Sequence, residues 1–491
     1  MASAAAPADQ LEPSADFPDN RPLAWSLLLA ALVIGAALRF YRLGRDELSR
    51  GEAAAWTAAS APDLRSVYLA AKHLDPGKAG IYDLMLHGWI RLFGDQVGAM
   101  RSLSALLGVA SIGLIFLAVR ELLLTFDGDP WGRASASLAG ALSALLYAVN
   151  WQMIATDRTA RMYSLMIAAA LAQVLCFARV HRRRSIATLI GGALLTDLAV
   201  AANFTAVFFF AAEAVWLAWL WLRRPALRTA DAAPLWPALM LAMAGVVFLA
   251  LSASDVHAAL TRLHAGVLAT IEPQPPWWPL HAIRVMTGNA AFWPLLAALA
   301  VALWSASSIL SVRFVLLWTL VPFALVELIS YLITPLMLER YVLLSLLGCL
   351  LLAGIGLAVL PDARLRYLIL GLIVVFSLSH AHHHWRARDD VQWREAANFA
   401  LSAAPPSQPI AVLPPFEPIL AMRYYVAPEA RDRLMSAPAT LDKNRVWQLT
   451  CTHQAPLLIA QTELPRATLA EAAACYPRLL ATFRLVEVRA Q

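Results

Sequence analysis

The sequence predicts an all-α polytopic membrane protein that ends in a small α/β domain, and three observations carry the prediction. First, 60% of the 491 residues are hydrophobic and only 15% are charged, and the mean hydropathy is +0.61. That is far above the apolar share of a water-soluble domain. Second, apolar runs of roughly 18–22 residues recur along most of the chain, the length a helix needs to cross a hydrocarbon core. Third, after Trp385 the composition turns polar and Pro-rich, with short apolar runs at Ile410–Leu413, Leu457–Ala460 and Leu479–Val488 and a helical pattern at Trp393–Ala403. Such alternation reads as strands and helices outside the membrane.

Residues 1–21, rich in Ala, Pro and Asp, read as a disordered cytoplasmic start. The run from Leu23 to Tyr41 has no basic stretch before it and no small-residue cleavage site after it. It reads as a retained first span rather than a signal peptide. About eleven spans follow from the hydropathy: 22–41, 97–124, 134–155, 161–179, 186–202, 204–222, 235–253, 289–307, 313–333, 341–360 and 366–384. They define a membrane module at 22–385 and leave 386–491 as the terminal domain. Basic loops at Arg179–Arg184, Arg223–Arg228 and Arg364–Arg366 all fall on the side of the N-terminus. The positive-inside rule makes that side cytoplasmic. Loops 44–96 and 254–288 and the terminal domain then face outward. The net charge of +6 is accounted for by these loops and calls for no nucleic-acid partner.

Within loop 44–96, Glu52–Lys72 reads as one amphipathic helix, followed by an apolar stretch with Tyr82, His87, Trp89 and Phe93. Loop 254–288 carries PQPPWWP, whose prolines break helices and whose tryptophans suit the headgroup region. Cys176 and Cys349 sit in apolar helices as structural thiols. Cys451 and Cys475 lie in the outward domain, where a disulfide between them could form.

The candidate chemistry gathers at the outward ends of the spans. Asp46, Glu47 and Glu52 stand with Arg45 and Arg50 just after the first span. Carboxylates there suit proton abstraction or metal binding, and arginines suit phosphate. Asp75 and Lys78 follow, then Asp157, Arg158 and Arg161 in TDRTARMYSL, and Glu339, Arg340 and Tyr341 in PLMLERYVLL. Ionisable groups near membrane depth are costly and tend to mark function. A one-sided gathering of acids and arginines facing lipid suits an anionic lipid with a polar head, such as a polyprenyl-phosphate sugar. Each arginine taken alone could equally snorkel to lipid phosphates. There is no Walker loop, Rossmann glycine pattern, HExxH or CxxC. The His-dense run SHAHHHW at 379–385 reads as interfacial packing.

Taken together, LGRDELSRGEAAAW, YDLMLHGWIRLFGDQVGAMRSLSALLG, ARMYSL, PLMLERYVLLSLLGCLLLAGIGL and DDVQWREAANFAL, in this order, resemble the C-type integral-membrane glycosyltransferases of family 39. That group holds protein O-mannosyltransferases, aminoarabinose transferases and galacturonosyltransferase-like proteins. The resemblance implies the C-type glycosyltransferase fold and the bacterial inner membrane. It also implies a polyprenyl-phosphate sugar donor and an envelope glycan, lipid or protein acceptor. Transfer would invert the sugar at the outer face, with an acid of the first outward loop as base. On it, Glu52 and Asp46 are the candidate catalytic acids, with Glu52 favoured. Lys78, Arg158, Arg161 and Arg340 would contact phosphate, and Asp75, Tyr82, Asp157, Tyr163 and Tyr341 would line the substrate cavity. No cofactor is required by the resemblance, and a divalent metal is neither demanded nor excluded. The family's Asp-Glu pair reads as Gly51–Glu52 here, and its His-Pro-Pro pattern as Lys78–Ala79–Gly80. Two other classes compete. A transporter or flippase of lipid-linked sugars would need broken helices or inverted repeats near mid-membrane. A catalytically silent member would follow from loss of the acid.

Overall fold

The computed structural model describes residues 21–491 except 76, 129–131, 224–234, 265–274, 276, 306–307, 333–337, 387–392, 404–409, 413–416, 437–445, 452–456, 461–482 and 488–491. The expected disordered start at 1–20 lies outside the described residues. In chain order the helices are α1 (Arg21–Phe40), α2 (Arg50–Ala59), α3 (Leu64–Leu74), α4 (Ile81–Phe93), α5 (Val97–Phe126), α6 (Gly132–Val149), α7 (Trp151–Asp157), α8 (Tyr163–Arg183) and α9 (Ile186–Ala202). They continue with α10 (Val207–Arg223), α11 (Leu235–His264), α12 (Trp278–Met286), α13 (Phe292–Ser305), α14 (Leu310–Leu332), α15 (Leu343–Val359), α16 (Ala363–Arg386), α17 (Trp393–Ala403) and α18 (Glu417–Tyr424).

Among the described residues, six helices are long and apolar enough to cross a membrane, one bent pair qualifies together, and four shorter helices are apolar. These coincide with the segments expected from hydropathy, and the chain is a multi-pass membrane protein. The bent pair is α6 and α7, which meet at 68°. Asn150 stands at the break and caps α7 by accepting from the Met153 N–H at 3.1 Å. The span expected at 134–155 is therefore broken. The span expected to end at 253 continues as helix to His264.

The bundle is built around α15, whose positions from Leu343 to Leu357 are all buried. Its sequence, LLSLLGCLLLAGIGLAV, is apolar on every face, as a helix surrounded by others must be. It packs on α6, α13 and α14. On the other side of α6 lie α1 and α5, and α8, α9 and α11 follow in turn. Small residues let these backbones approach closely. A Cβ on Gly354 would collide with Ser143 of α6.

In loop 44–96 the single amphipathic helix expected at Glu52–Lys72 is two helices, α2 and α3. The break falls at Pro62, whose ring opposes helix continuation. Asp63 then starts α3 by accepting from the Ser66 N–H at 2.9 Å. The terminal unit holds α17, α18 and a five-stranded sheet of β1 (Ile410–Val412), β2 (Leu434–Ser436), β3 (Val446–Cys451), β4 (Leu457–Ala460) and β5 (Phe483–Glu487). Its strand order is β2-β1-β4-β3-β5, with β1 and β2 parallel and the other pairs antiparallel.

Gly108 of α5 lies against α7, and a Cβ there would strike the Asp157 carboxyl. Ala normally gains about 1 kcal/mol over Gly inside a helix. Overpacking a filled site costs about 1–3 kcal/mol, so Gly108→Ala should lower the unfolding midpoint in detergent micelles. An unchanged or raised midpoint would show that α5 and α7 do not touch there.

Candidate active site at one end of the spans

The first span ends at Phe40, and Arg42 at φ +49° turns the chain out of the helix. Its last carbonyls are not left bare. Arg158 Nη1 donates to Leu38 O, Arg39 O and Tyr41 O at 3.1, 3.1 and 2.7 Å. Arg158 thus caps α1, and its guanidinium is committed to backbone rather than open to phosphate. Asp157, expected in the cavity, is fully buried between helices. It accepts from Arg39 Nε at 2.8 Å, Tyr147 Oη at 3.0 Å and Ser164 Oγ at 2.7 Å.

Glu52 begins α2 as half of a capping box with Ser49, read directly from Ser-Arg-Gly-Glu. Its Oε2 accepts the Ser49 N–H at 2.9 Å. Arg101 of α5 then grips the same carboxylate with both arms, Nε to Oε1 at 2.7 Å and Nη2 to Oε2 at 2.8 Å. The Ala160 N–H adds a further bond to Oε1 at 2.8 Å. The carboxylate is 1% exposed and its lone pairs are taken. Burial alone would raise its pKa, but Arg101, Ala160 and Ser49 together hold it below the ordinary 4.5. A sequestered acid with a lowered pKa is a poor proton acceptor. Its place is that of a strut joining α2, α5 and the turn between α7 and α8.

Arg101 also fixes the loop before α2. Its Nη1 donates to Leu43 O at 3.1 Å and Asp46 O at 2.9 Å, and its Nη2 to Glu47 O at 2.8 Å. Asp46 is half-buried. Among the described residues none hydrogen-bonds its carboxylate, which lies in the electrostatic reach of Arg101 and Arg158.

Arg161 continues the array. Nη1 donates to Gly51 O at 2.8 Å and Nη2 to Asp75 Oδ2 at 2.7 Å. Lys78, 2% exposed, reaches Asp83 Oδ2 at 2.8 Å and Asp75 Oδ2 at 3.8 Å. Burial pushes the Asp75 carboxyl up, and Arg161 with Lys78 overturns this and holds it below the ordinary 3.8. Arg161 faces the Tyr163 ring at 5.9 Å, and Arg340 faces Tyr341 at 5.3 Å. Arg340 is exposed and close enough to Tyr163 and Tyr341 for both to favour its charge against burial. Tyr82 is fully buried, and its hydroxyl pairs with Ser104 Oγ at 2.8 Å, so it packs behind the cluster. Of the expected residues, Asp75, Lys78, Arg161, Tyr163, Arg340 and Tyr341 are thus gathered, Asp46 stands apart from them beside Arg101 and Arg158, and Glu52, Tyr82, Asp157 and Arg158 serve as internal supports.

Arg39, Asp83 and Arg101 were not among the residues nominated from the sequence. Their signal was a charge inside an apolar helical run, which must find a partner. A cavity of about 650 Å³ opens between α13 and α16, lined by Arg284, Asn289, Trp293, Ile369 and Phe376, and it shares no residue with the cluster. Among the described residues no group of three His, Cys, Asp or Glu side chains is gathered to hold a metal. Cys176 and Cys349 are free. The expected Cys451–Cys475 pairing involves Cys475, which lies outside the described residues.

No protein-family model and no curated protein sequence matches the chain. Solved structures do. ArnT from Cupriavidus metallidurans bound to undecaprenyl phosphate superposes with a TM-score of 0.58 at 12% identity, over 93% of this chain and 88% of that one. The chain has the fold of ArnT. The apo form of ArnT gives 0.51 at 13% identity, over 89% of this chain and 97% of that one. The archaeal oligosaccharyltransferase AglB from Archaeoglobus fulgidus gives 0.46 at 13% identity, over 86% of this chain and 61% of that one. The ArnT likeness agrees with the C-type glycosyltransferase fold expected from the sequence.

Because the Glu52 carboxyl titrates below its ordinary value, its stabilisation is complete above about pH 4.5 and is lost as pH falls through the folded value. Glu52→Gln leaves Arg101 charged and unpaired, which should cost about 3–5 kcal/mol at neutral pH. The variant should also flatten the acid side of the curve of unfolding midpoint against pH. A variant as stable as the parent would show that the pair is not a strut.

Proposed function

We propose that the protein is a membrane glycosyltransferase that moves a sugar from a polyprenyl-phosphate donor to an envelope glycan, lipid or protein acceptor. The observation that carries this reading is one juxtaposition. A partly exposed carboxylate that no described residue hydrogen-bonds, Asp46, lies in the loop after the first span, at the same end of the spans as the Arg161–Asp75–Lys78 array and exposed Arg340. The fold it shares with ArnT, solved with undecaprenyl phosphate, supports the donor class. The basic loops at the opposite ends support placing the site on the outward face of a bacterial inner membrane.

In this reading Asp46, rather than Glu52, is the base. It takes the proton of the acceptor hydroxyl as that oxygen attacks the anomeric carbon. The bond from that carbon to the phosphate oxygen breaks, and polyprenyl phosphate leaves with the electron pair. Attack opposite the leaving group inverts the sugar. Arg161, Lys78 and Arg340 stabilise the charge that grows on the phosphate. In the resting structure Asp75 occupies Arg161 and approaches Lys78, so the donor phosphate enters by displacing it.

The bend at Asn150 is the one feature that leans toward a transporter. It lies seven residues from the far end of α7, on the order of 10 Å at 1.5 Å per residue, near one end of the span rather than its middle. The buried Met153 N–H freed by the bend is capped by Asn150.

The test is transfer from a labelled polyprenyl-phosphate sugar by the full chain in nanodiscs. Asp46→Asn should lower kcat by about 10²–10⁴, and Arg340→Ala should raise the donor KM by about tenfold or more. Full activity of the Asn variant would rule out Asp46 as base. Asp75→Asn should lower the donor KM several-fold, by about 1 kcal/mol, and a raised KM would show that Asp75 helps to hold donor instead of yielding to it.

A further inference from the structure

We infer that the terminal unit is a working part of the transfer site, with Tyr425 as a positioning residue for the loop that carries Asp46. This rests on the reading of Asp46 as base. The Leu48 N–H donates to the Tyr425 hydroxyl at 2.8 Å, across 377 residues of sequence. Leu48 is fully buried, so that N–H needs a partner from the protein. Arg394 lies over the Tyr425 ring at 5.1 Å, and the Arg394 N–H donates to Glu47 Oε2 at 3.1 Å. The terminal unit therefore touches both residues that follow Asp46.

From the opposite side Arg101 donates to the carbonyls of Leu43, Asp46 and Glu47. The main chain of residues 43–48 is thus held on its C=O groups by α5 and on an N–H by Tyr425. Among the described residues, none hydrogen-bonds the Asp46 carboxylate. A fixed backbone beneath an uncommitted acid is what proton abstraction at a set position requires. Burial holds the Tyr425 phenol protonated, far above its ordinary range.

Tyr424 next to it supplies an internal control. Its hydroxyl donates to Asp95 O at 2.8 Å, and its ring meets Trp56 edge-on at 5.1 Å, with Arg431 over the same indole at 5.1 Å. This seam docks α18 on α2, and its hydrogen bond goes to Asp95 rather than to residues 43–48, although the Tyr424 and Tyr425 rings meet edge-on at 4.8 Å. Tyr424→Phe and Tyr425→Phe each delete one hydroxyl and one hydrogen bond to backbone.

Both variants, made in the full chain in nanodiscs, should lower the unfolding midpoint, Tyr425→Phe by more, because it leaves the buried Leu48 N–H without a partner while Asp95 O stays open to water. Only Tyr425→Phe should lose kcat, by about 10-fold to 100-fold, the cost of a displacement of about 1 Å, while its donor KM stays within about twofold, too little to signal lost donor binding. Unchanged kcat in Tyr425→Phe, or equal loss of kcat in both variants, would overturn the inference while leaving the base assignment intact. Full activity of Asp46→Asn, or no transfer by the parent chain, would overturn both.

Discussion

The bidentate pair between Glu52 and Arg101 is the contact on which the rest of the site depends. It joins the start of α2 to the start of α5, and the same guanidinium and carboxylate reach Leu43, Asp46, Glu47, Ser49 and Ala160. Breaking a buried pair of this kind costs far more than the pair contributes over apolar residues of similar size, because the surviving charge has no solvent. The pair therefore specifies where the loop lies more than it stabilises the fold. An acid that is essential for this reason mimics a catalytic acid in any assay that reads activity alone.

The same logic repeats along this end of the bundle. Arg39 with Asp157, Lys78 with Asp83, and Arg161 with Asp75 are buried or nearly so. Each cation is matched inside the protein before any ligand arrives. Asp75 is the most exposed of the four paired acids, at 21% of its side chain. The network is closed deep among the helices and least buried at Asp75, the acid that the proposed reading has the donor phosphate displace.

Much of this architecture was legible. The spans follow from run length and hydropathy because a hydrocarbon solvent leaves the backbone no alternative to helix. The strands β1, β4 and β5 lie within short apolar runs visible in the chain, and α17 occupies the patterned stretch Trp393–Ala403. What periodicity could not supply was pairing. Arg101 and Arg39 are visible as charges in apolar helices, but their partners stand 49 and 118 residues away. Glu52 was favoured as the base for its place after Gly51, although Ser49-x-x-Glu52 is a capping signature that already commits the carboxylate. An Asp-Glu pair does stand in the loop, as Asp46–Glu47, upstream of where the resemblance led one to look. The break at Pro62 was missed because the apolar stripe continues across it.

The bond from Leu48 to Tyr425 also has a bearing on biogenesis. At ribosomal speeds of about 5–20 residues per second, the 377 residues between its two ends take on the order of tens of seconds to emerge. During that interval the early loop has been made, with its tether in the terminal unit still to be translated. A nascent or truncated chain can be inserted and packed, yet its acid would swing without register. Competence of the proposed site would then arrive as one of the closing events of synthesis, and half-made copies would lack it.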